Sequence, residues 1–99
     1  MELKIPESNG FYFYVLLCAD KSLYGGFSTN LKHRLKQHQT YRGAKYTKVK
    51  KRHPLKMIYF EKFENKHDAL SAEYKFKHQK RSDKVNYLKK NGVPLSIFV

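Results

Sequence analysis

The sequence predicts an α+β fold with the element order β-β-α-β-α-α. Residues 11–18 form a near-continuous apolar and aromatic run, which is typical of a strand buried on both faces. Turn-forming residues at 19–22 separate this run from a second short run at 23–27. The two runs therefore predict a β-hairpin, and the cap residues that follow them predict the helices.

The third strand lies between the first two predicted helices. One of the polar residues at 28–30 can cap a first helix that runs through Gln39. A basic stretch at 47–56 has the composition of a loop, and residues 55–63 form the next strand-like run.

Two more helices complete the order. Residues 65–68 open a helix that runs to about Gln79. Ser82 and Asp83 can cap a last short helix, which ends at residues 91–92.

Length and charge indicate one small basic domain. With 99 residues and 40% hydrophobic content the chain can bury one modest core, so we predict a single domain over residues 1–99. The formal net charge of +13 favours an anionic partner, nucleic acid first and a membrane surface second. No Asp or Glu lies between Lys21 and Phe60, so the positive charge is concentrated in that part of the chain.

The cysteine content and the hydropathy pattern exclude other classes. The lone Cys18 rules out an internal disulfide and a multi-cysteine zinc site, and it fits a reducing cytoplasm. No segment approaches the roughly 20 apolar residues of a membrane span, so we expect a soluble cytoplasmic protein without membrane insertion.

Charged and basic side chains interrupt the apolar stripes of the first two helices. The first stripe contains Arg34 and His38, and the second contains a single acid, Glu73. A buried unpaired charge is costly, so Arg34 must meet an acid, open onto a cleft or lie within reach of a ligand phosphate. Two plain alternatives stay open, a helix rotated by one position and a structural Arg34–Glu73 ion pair.

Two tyrosines flank the predicted hairpin turn. Tyr24 leads directly into Gly25-Gly26, and glycine inside a strand is tolerated where a bulge or a close backbone approach is needed. Tyr14 and Tyr24 taken singly are more typical of half-buried aromatic residues than of catalytic groups. Their combination with Arg34 and Glu73 indicates a site.

The metal-ligand pattern is sparse. The histidines show no zinc spacing, and no Gly-rich phosphate loop with its lysine is present. One carboxylate, completed by water and substrate oxygens, can hold Mg²⁺ or Mn²⁺, and Glu73 is the candidate.

Over roughly residues 11–90, which would form the core of the domain, the chain resembles a GIY-YIG endonuclease domain. It is most similar to the small stand-alone bacterial type. Its first motif reads Tyr12-Phe13-Tyr14, without the family's glycine, and its second reads Tyr24-Gly25-Gly26. Phe27 stands where UvrC-like members carry a lysine.

The helices carry the rest of the resemblance. Arg34 in LKHRLKQH matches the family's arginine, and His38 matches the histidine of its stand-alone and structure-specific members. Glu73 in ALSAEYKFK matches the metal-binding glutamate, and GAKYT at 43–47 resembles the stretch after the first helix.

The resemblance implies a small three-stranded antiparallel sheet flanked by helices, with the two tyrosines side by side on adjacent strands. The implied catalytic residues are Tyr14, Tyr24, Arg34, His38 and Glu73, with one Mg²⁺ or Mn²⁺ ion on Glu73. The implied nucleic-acid-binding residues are Gly26, Lys45, Lys48, Lys50, Lys51 and Arg52.

We therefore expect a metal-dependent endonuclease that hydrolyses phosphodiester bonds in branched or damaged DNA. The alternative is a nucleic-acid-binding module of the same fold with little or no catalysis. Small stand-alone members lack the accessory domain that directs such a nuclease, so a protein partner could supply substrate targeting.

Overall fold

The computed structural model describes residues 3–98, and of Leu95 only the backbone. Its strands are β1 Phe11–Leu17, β2 Leu23–Ser28 and β3 Lys56–Phe63, and its helices are α1 Leu31–Gln39, α2 Lys66–Lys77 and α3 Arg81–Lys90. Short 3₁₀ helices lie at Lys45–Lys48, Lys50–Arg52 and Leu95–Phe98, the first two in or beside the predicted basic loop. The element order is the predicted one. The predicted outer limits of the domain, residues 1 and 99, lie outside the described residues.

The three strands form one antiparallel sheet with β1 at its centre, in the order β2-β1-β3. The predicted α+β fold is thereby confirmed. Successive side chains of a strand point to opposite faces, and residues 12–16 are all buried. The central position of β1, with packing on both faces, explains its near-continuous apolar sequence.

Each face of the sheet has its own hydrophobic core. The core shared with α1 contains the buried residues Tyr12, Tyr14, Leu16, Leu31 and Met57. The core shared with α2 and α3 contains Phe13, Val15, Ile58, Phe76 and Leu88. Helix α1 therefore packs on one face of the sheet, and α2 and α3 pack on the other.

Polar caps begin the first two helices, as the sequence predicts. The Asn30 side chain accepts a hydrogen bond from the His33 amide at 3.0 Å, and Asn65 accepts one from the Asp68 amide at 2.8 Å. The prediction that Ser82 or Asp83 caps α3 is wrong, because the cap position is Lys80 and no side chain caps this helix. Asp83 instead lies in the first turn, where a negative charge favours the helix dipole.

None of the helices in the described part of the chain is long and apolar enough to cross a membrane.

Candidate active site

Helix α1 directs His38 into the protein. Leu31 and His38 are buried, and Arg34 and Leu35 between them are half-buried. The His38 side chain has no exposed surface, so the alternative of a rotated helix with a boundary histidine is ruled out. A fully buried imidazole needs hydrogen-bond partners, and the fold supplies two.

A buried hydrogen-bond chain links Tyr14, His38 and Thr47. The Tyr14 hydroxyl lies 2.7 Å from His38 Nε2, and His38 Nδ1 lies 2.6 Å from Thr47 Oγ1. None of the three residues has exposed surface. The chain thus joins strand β1, helix α1 and the 3₁₀ helix at Lys45–Lys48.

The partners of Thr47 determine the direction of this chain. The Ala44 carbonyl lies 3.0 Å from Thr47 Oγ1 and can only accept, so we assign the single hydroxyl hydrogen of Thr47 to this carbonyl, and toward His38 Thr47 then accepts. His38 therefore carries its proton on Nδ1 and offers the lone pair of Nε2. The Tyr14 hydroxyl donates to that lone pair.

Two glycines make room for the chain. Gly26 is paired with Tyr14 across the sheet, and a Cβ atom at Gly26 would overlap the Tyr14 phenol. A Cβ atom at Gly43 would overlap the His38 imidazole. The close approach that requires Gly26 is therefore that of Tyr14, and contact between Gly26 and nucleic acid stays a prediction.

Tyr24 lies beside the chain on the same face of the sheet. Its partner across the sheet is Leu16, so Tyr14 and Tyr24 are displaced along adjacent strands and are not directly opposite. The Tyr24 ring lies edge-on to His38, with the ring centroids 5.4 Å apart, and stacks on Tyr46 at 5.6 Å. Tyr24 therefore forms one wall of the site.

Arg34 and Glu73 do not pair with each other. Arg34 Nε donates to the Tyr14 hydroxyl at 3.4 Å, and its Nη1 donates to Gln37 at 3.0 Å. The Glu73 carboxylate lies 3.4 Å from the ammonium of Lys77. Among residues 3–98 there is no Arg34–Glu73 ion pair, so the alternative of a purely structural pair does not describe this protein.

Burial keeps the Tyr14–His38 pair neutral. Burial raises the pKa of Tyr14 well above its ordinary value; Arg34 partly offsets this, and the charges of Tyr24 and Glu73 add to it. Burial, assisted by the positive charges of Arg34 and His53, lowers the pKa of His38 to about 4. At neutral pH the phenol therefore holds its proton and the imidazole is unprotonated.

Glu73 is the residue that the sequence predicts as a ligand for a divalent cation. Its side chain is 21% exposed, and its carboxylate lies 3.4 Å from the ammonium of Lys77, which also lies 5.1 Å from the centroid of the Tyr24 ring. Within the described part of the chain, no three His, Cys, Asp or Glu residues lie close enough together to hold a metal ion. An ion here would have Glu73 as its protein ligand and would take its other oxygens from water and substrate, which is an ordinary arrangement for Mg²⁺.

The basic loop contains free lysines and one arginine that is held in place. Lys45, Lys48, Lys50 and Lys51 are exposed. Arg52 is half-buried; its Nη1 donates to the Tyr46 carbonyl at 2.9 Å, and its Nε lies 3.4 Å from Asp20. Its guanidinium also lies 3.6 Å from the centroid of the Tyr46 ring. Arg52 is thus bound within the protein, whereas the four lysines are exposed.

Sequence reasoning gave no role to Thr47 or Gly43. Both lie in the GAKYT run, which follows neither a helical nor a strand periodicity. Only the fold brings them to His38, so the one signal available in the sequence was the similarity of that run to the family.

The chain also matches a model of a known protein family. The model of the GIY-YIG catalytic domain matches residues 10–87. The chain belongs to the GIY-YIG family. The matched range includes Tyr14, Tyr24, Arg34 and Glu73, whose catalytic roles stay a prediction.

Relatives within the family cover nearly the whole chain. A UPF0213 protein of Pediococcus acidilactici is 55% identical over 97% of this chain and 98% of its own length. One from Limosilactobacillus reuteri is 64% identical over 89% of this chain and 92% of its own.

Two solution NMR structures are also similar. A protein from E. faecalis has a TM-score of 0.60 at 46% identity and covers 95% of this chain and 94% of its own. A UPF0213 protein from Bacillus halodurans has a TM-score of 0.58 at 34% identity and covers 85% of this chain and 87% of its own. The names of these relatives specify no reaction.

The buried state of His38 predicts a dependence of stability on pH. The pKa of His38 is about 4 in the folded protein, below the ordinary value of about 6.5 expected when unfolded, so protons favour the unfolded state. The stabilising effect of neutral His38 is complete above about pH 6.5 and is lost as the pH falls towards 4. Urea unfolding at pH 7.5 and 4.5 should show this, and His38→Gln should reduce the difference by on the order of 2 kcal/mol.

The matched control is His33→Gln, because His33 is exposed on the same helix. This variant should keep the wild-type difference between the two pH values. A His38→Gln protein whose stability changes with pH as much as that of the wild type would contradict the assignment of a buried neutral imidazole.

Proposed function

We propose that this GIY-YIG protein is a divalent-metal-dependent endonuclease that hydrolyses DNA phosphodiester bonds. The observation that carries the proposal is the buried chain in which Tyr14 donates to His38 and His38 donates to Thr47. Arg34 donates to the Tyr14 hydroxyl, and the charge of Glu73 is close enough to Tyr14 to contribute to its raised pKa. Such a set can supply a proton acceptor, a cation for the phosphate and a metal ligand.

Tyr14 and His38 would move the proton of the attacking water. As the water oxygen attacks phosphorus, its proton passes to the Tyr14 oxygen while the Tyr14 proton passes to His38 Nε2. The relay avoids a free phenolate, which burial disfavours. The P–O bond to the leaving strand breaks, and the leaving oxygen takes a proton from solvent.

His38 is a weak base in the protein alone, since its pKa is about 4. A bound phosphate would bring negative charge close to His38 and so favour its protonated form. The Nδ1–H donated to Thr47 holds the ring in the orientation required for transfer. Proton transfer would therefore be efficient only when substrate is bound.

Arg34 would hold the scissile phosphate. Its guanidinium donates one hydrogen bond to Tyr14 and one to Gln37, which fixes its plane and leaves further N–H groups for phosphate oxygens. Tyr24, in the wall of the site, would add a hydroxyl to the phosphate or to the attacking water.

Glu73 would hold one Mg²⁺ or Mn²⁺ ion. When bound, such an ion stabilises negative charge on the phosphoryl group and on the leaving oxygen. Lys77 would give up its 3.4 Å contact with Glu73 on loading.

A binding module with little catalysis is the second candidate. The Glu73–Lys77 contact favours it, because this ion pair satisfies the carboxylate without a metal. The cleavage experiment below separates the two functions.

The biological setting is also part of the proposal. We propose branched or damaged DNA as substrate and a role in DNA repair, with a protein partner that directs the enzyme to its site. The free, buried thiol of Cys18 fits the reducing cytoplasm, which we propose as the location. A single domain over residues 1–99 likewise stays a prediction.

Cleavage of labelled duplex, flap, splayed-arm and single-stranded DNA with Mg²⁺ or Mn²⁺ tests the proposed activity. Glu73→Gln, Arg34→Ala and Tyr14→Phe should each lower the rate by about 10²- to 10⁴-fold, because each removes a group that acts on the transition state. The matched controls are Glu64→Gln and Lys36→Ala, which change exposed residues and should keep wild-type rates. Metal-independent DNA binding by every variant, without cleavage by any, would establish the binding module instead.

The four exposed loop lysines should control the salt dependence of DNA binding. Replacing Lys45, Lys48, Lys50 and Lys51 together by Ser should lower the magnitude of the slope of log K against log salt by about 3.6, since each phosphate contact contributes about 0.9. The control is a protein with the same net charge in which the exposed lysines Lys66, Lys75, Lys89 and Lys90 are replaced by Ser. Equal slopes in the two variants would refute the assignment of the loop as the phosphate-binding surface.

A further inference from the structure

Tyr41 occupies a backbone conformation that a bulky residue rarely adopts. It follows Thr40, the C-cap of α1, and its φ is 62°. This left-handed position after a helix is normally filled by Gly, which has no Cβ atom, or by Asn, which tolerates it, whereas a bulky side chain is strained there. A tyrosine at this strained position therefore indicates a role for its aromatic ring.

The ring of Tyr41 is both exposed and fixed. The residue is 43% exposed, although its ring stacks on His53 with the centroids 4.0 Å apart and the planes at 28°. Since His53 covers one face of the ring, the part of the ring that is open to solvent lies away from His53. An exposed aromatic ring in a fixed position can stack with a planar ligand.

The stacked pair is joined to the proposed catalytic chain on both sides. The Tyr41 amide donates to the His38 carbonyl at 3.2 Å. The His53 ring nitrogen Nε2 lies 2.7 Å from the Thr47 carbonyl, and the side chain of the same Thr47 accepts from His38. The position of the open ring face is therefore fixed relative to His38.

The charge around Tyr41 indicates which kind of planar ligand could stack on its ring. Arg42 and the loop lysines Lys45, Lys48, Lys50 and Lys51 are exposed, and no acid lies between Lys21 and Phe60. A cationic loop with an open aromatic face is the combination that binds a single strand, because phosphates meet the cations and a base stacks on the ring. A base can stack in this way only when it is unpaired.

We propose that Tyr41, supported by His53, is a stacking platform for an unpaired nucleobase of the DNA substrate. This inference rests on the proposed function and narrows its substrate class. The enzyme binds DNA in which a nucleotide close to the scissile phosphate is unpaired, as in a bulge or a flap, in preference to a continuous duplex.

A second exposed tyrosine in the same protein provides the matched control. Tyr74 is 63% exposed and stacks on His78 at 3.9 Å and 28°. Both residues belong to the same stretch of chain at the end of α2, and His78 Nδ1 lies 2.8 Å from the Tyr74 carbonyl. This pair has the same ring geometry but no link to His38 or Thr47 through the contacts above.

The test measures DNA binding in EDTA, so that cleavage is not required. Two DNA duplexes are used, one with a single unpaired 2-aminopurine and one with the same sequence fully paired. Each is titrated with the wild type and with the variants Tyr41→Phe, Tyr41→Gly, Tyr41→Asn and Tyr74→Ala. The Phe variant and Tyr74→Ala should bind the bulged duplex as the wild type does and quench its 2-aminopurine fluorescence. Tyr41→Gly and Tyr41→Asn should bind it about 5- to 100-fold more weakly, without the quench, and should bind the paired duplex unchanged.

Stability measurements separate loss of the platform from loss of the fold. Gly and Asn both tolerate the left-handed conformation. Compared with Tyr41→Phe, Tyr41→Gly and Tyr41→Asn should therefore lose only the part of the melting temperature that stacking on His53 contributes. If Tyr41→Gly and Tyr41→Asn bind the bulged duplex and quench its fluorescence as Tyr41→Phe does, the proposed stacking role of Tyr41 is wrong, and the proposed nuclease activity is unaffected. Failure of the wild type to bind either duplex would overturn both the platform and the proposed function.

Discussion

Tyr14, His38 and Thr47 have no exposed surface, so their polar atoms must satisfy one another inside the core. Leaving one buried donor or acceptor without a partner would cost about 1–3 kcal/mol. The geometry that avoids this cost orders the three groups in one direction, from the Tyr14 hydroxyl through His38 to Thr47 and the Ala44 carbonyl. A stability requirement thereby presents a basic nitrogen to a phenol, which is the arrangement that proton transfer needs.

Several sequence features follow from this chain. Gly26 and Gly43 lack side chains where the Tyr14 phenol and the His38 ring pass. The central position of β1 buries Tyr14, while Arg34 and Glu73 stay half-buried at the rim, with local partners and no ion pair between them. The buried hydrogen-bond chain thus ends next to the half-buried groups that we propose for binding a phosphate and a metal ion.

Much of the fold and part of the site could be predicted, for physical reasons that differ by residue. The apolar run at 11–18 and the caps at Asn30 and Asn65 act locally, so the sequence contains their signals. The inward positions of Arg34 and His38 follow from helical periodicity. Two features could not be predicted: the role of Thr47, and the contacts that bind Arg52 to Asp20 and Tyr46. Both depend on contacts between segments without periodicity. The cap of α3 at Lys80 was missed because no side chain marks it.

Nitrogen-15 NMR of the His38 ring at neutral pH tests the central claim, the direction of the Tyr14–His38–Thr47 chain, most directly. The account predicts a pyrrole-type Nδ1 and a pyridine-type Nε2, since Thr47 accepts from one and Tyr14 donates to the other. Thr47→Ser should preserve this pattern, and Thr47→Val should disturb it. A wild-type spectrum with the proton on Nε2, or an imidazole that carries both protons, would contradict the proposed path of the proton.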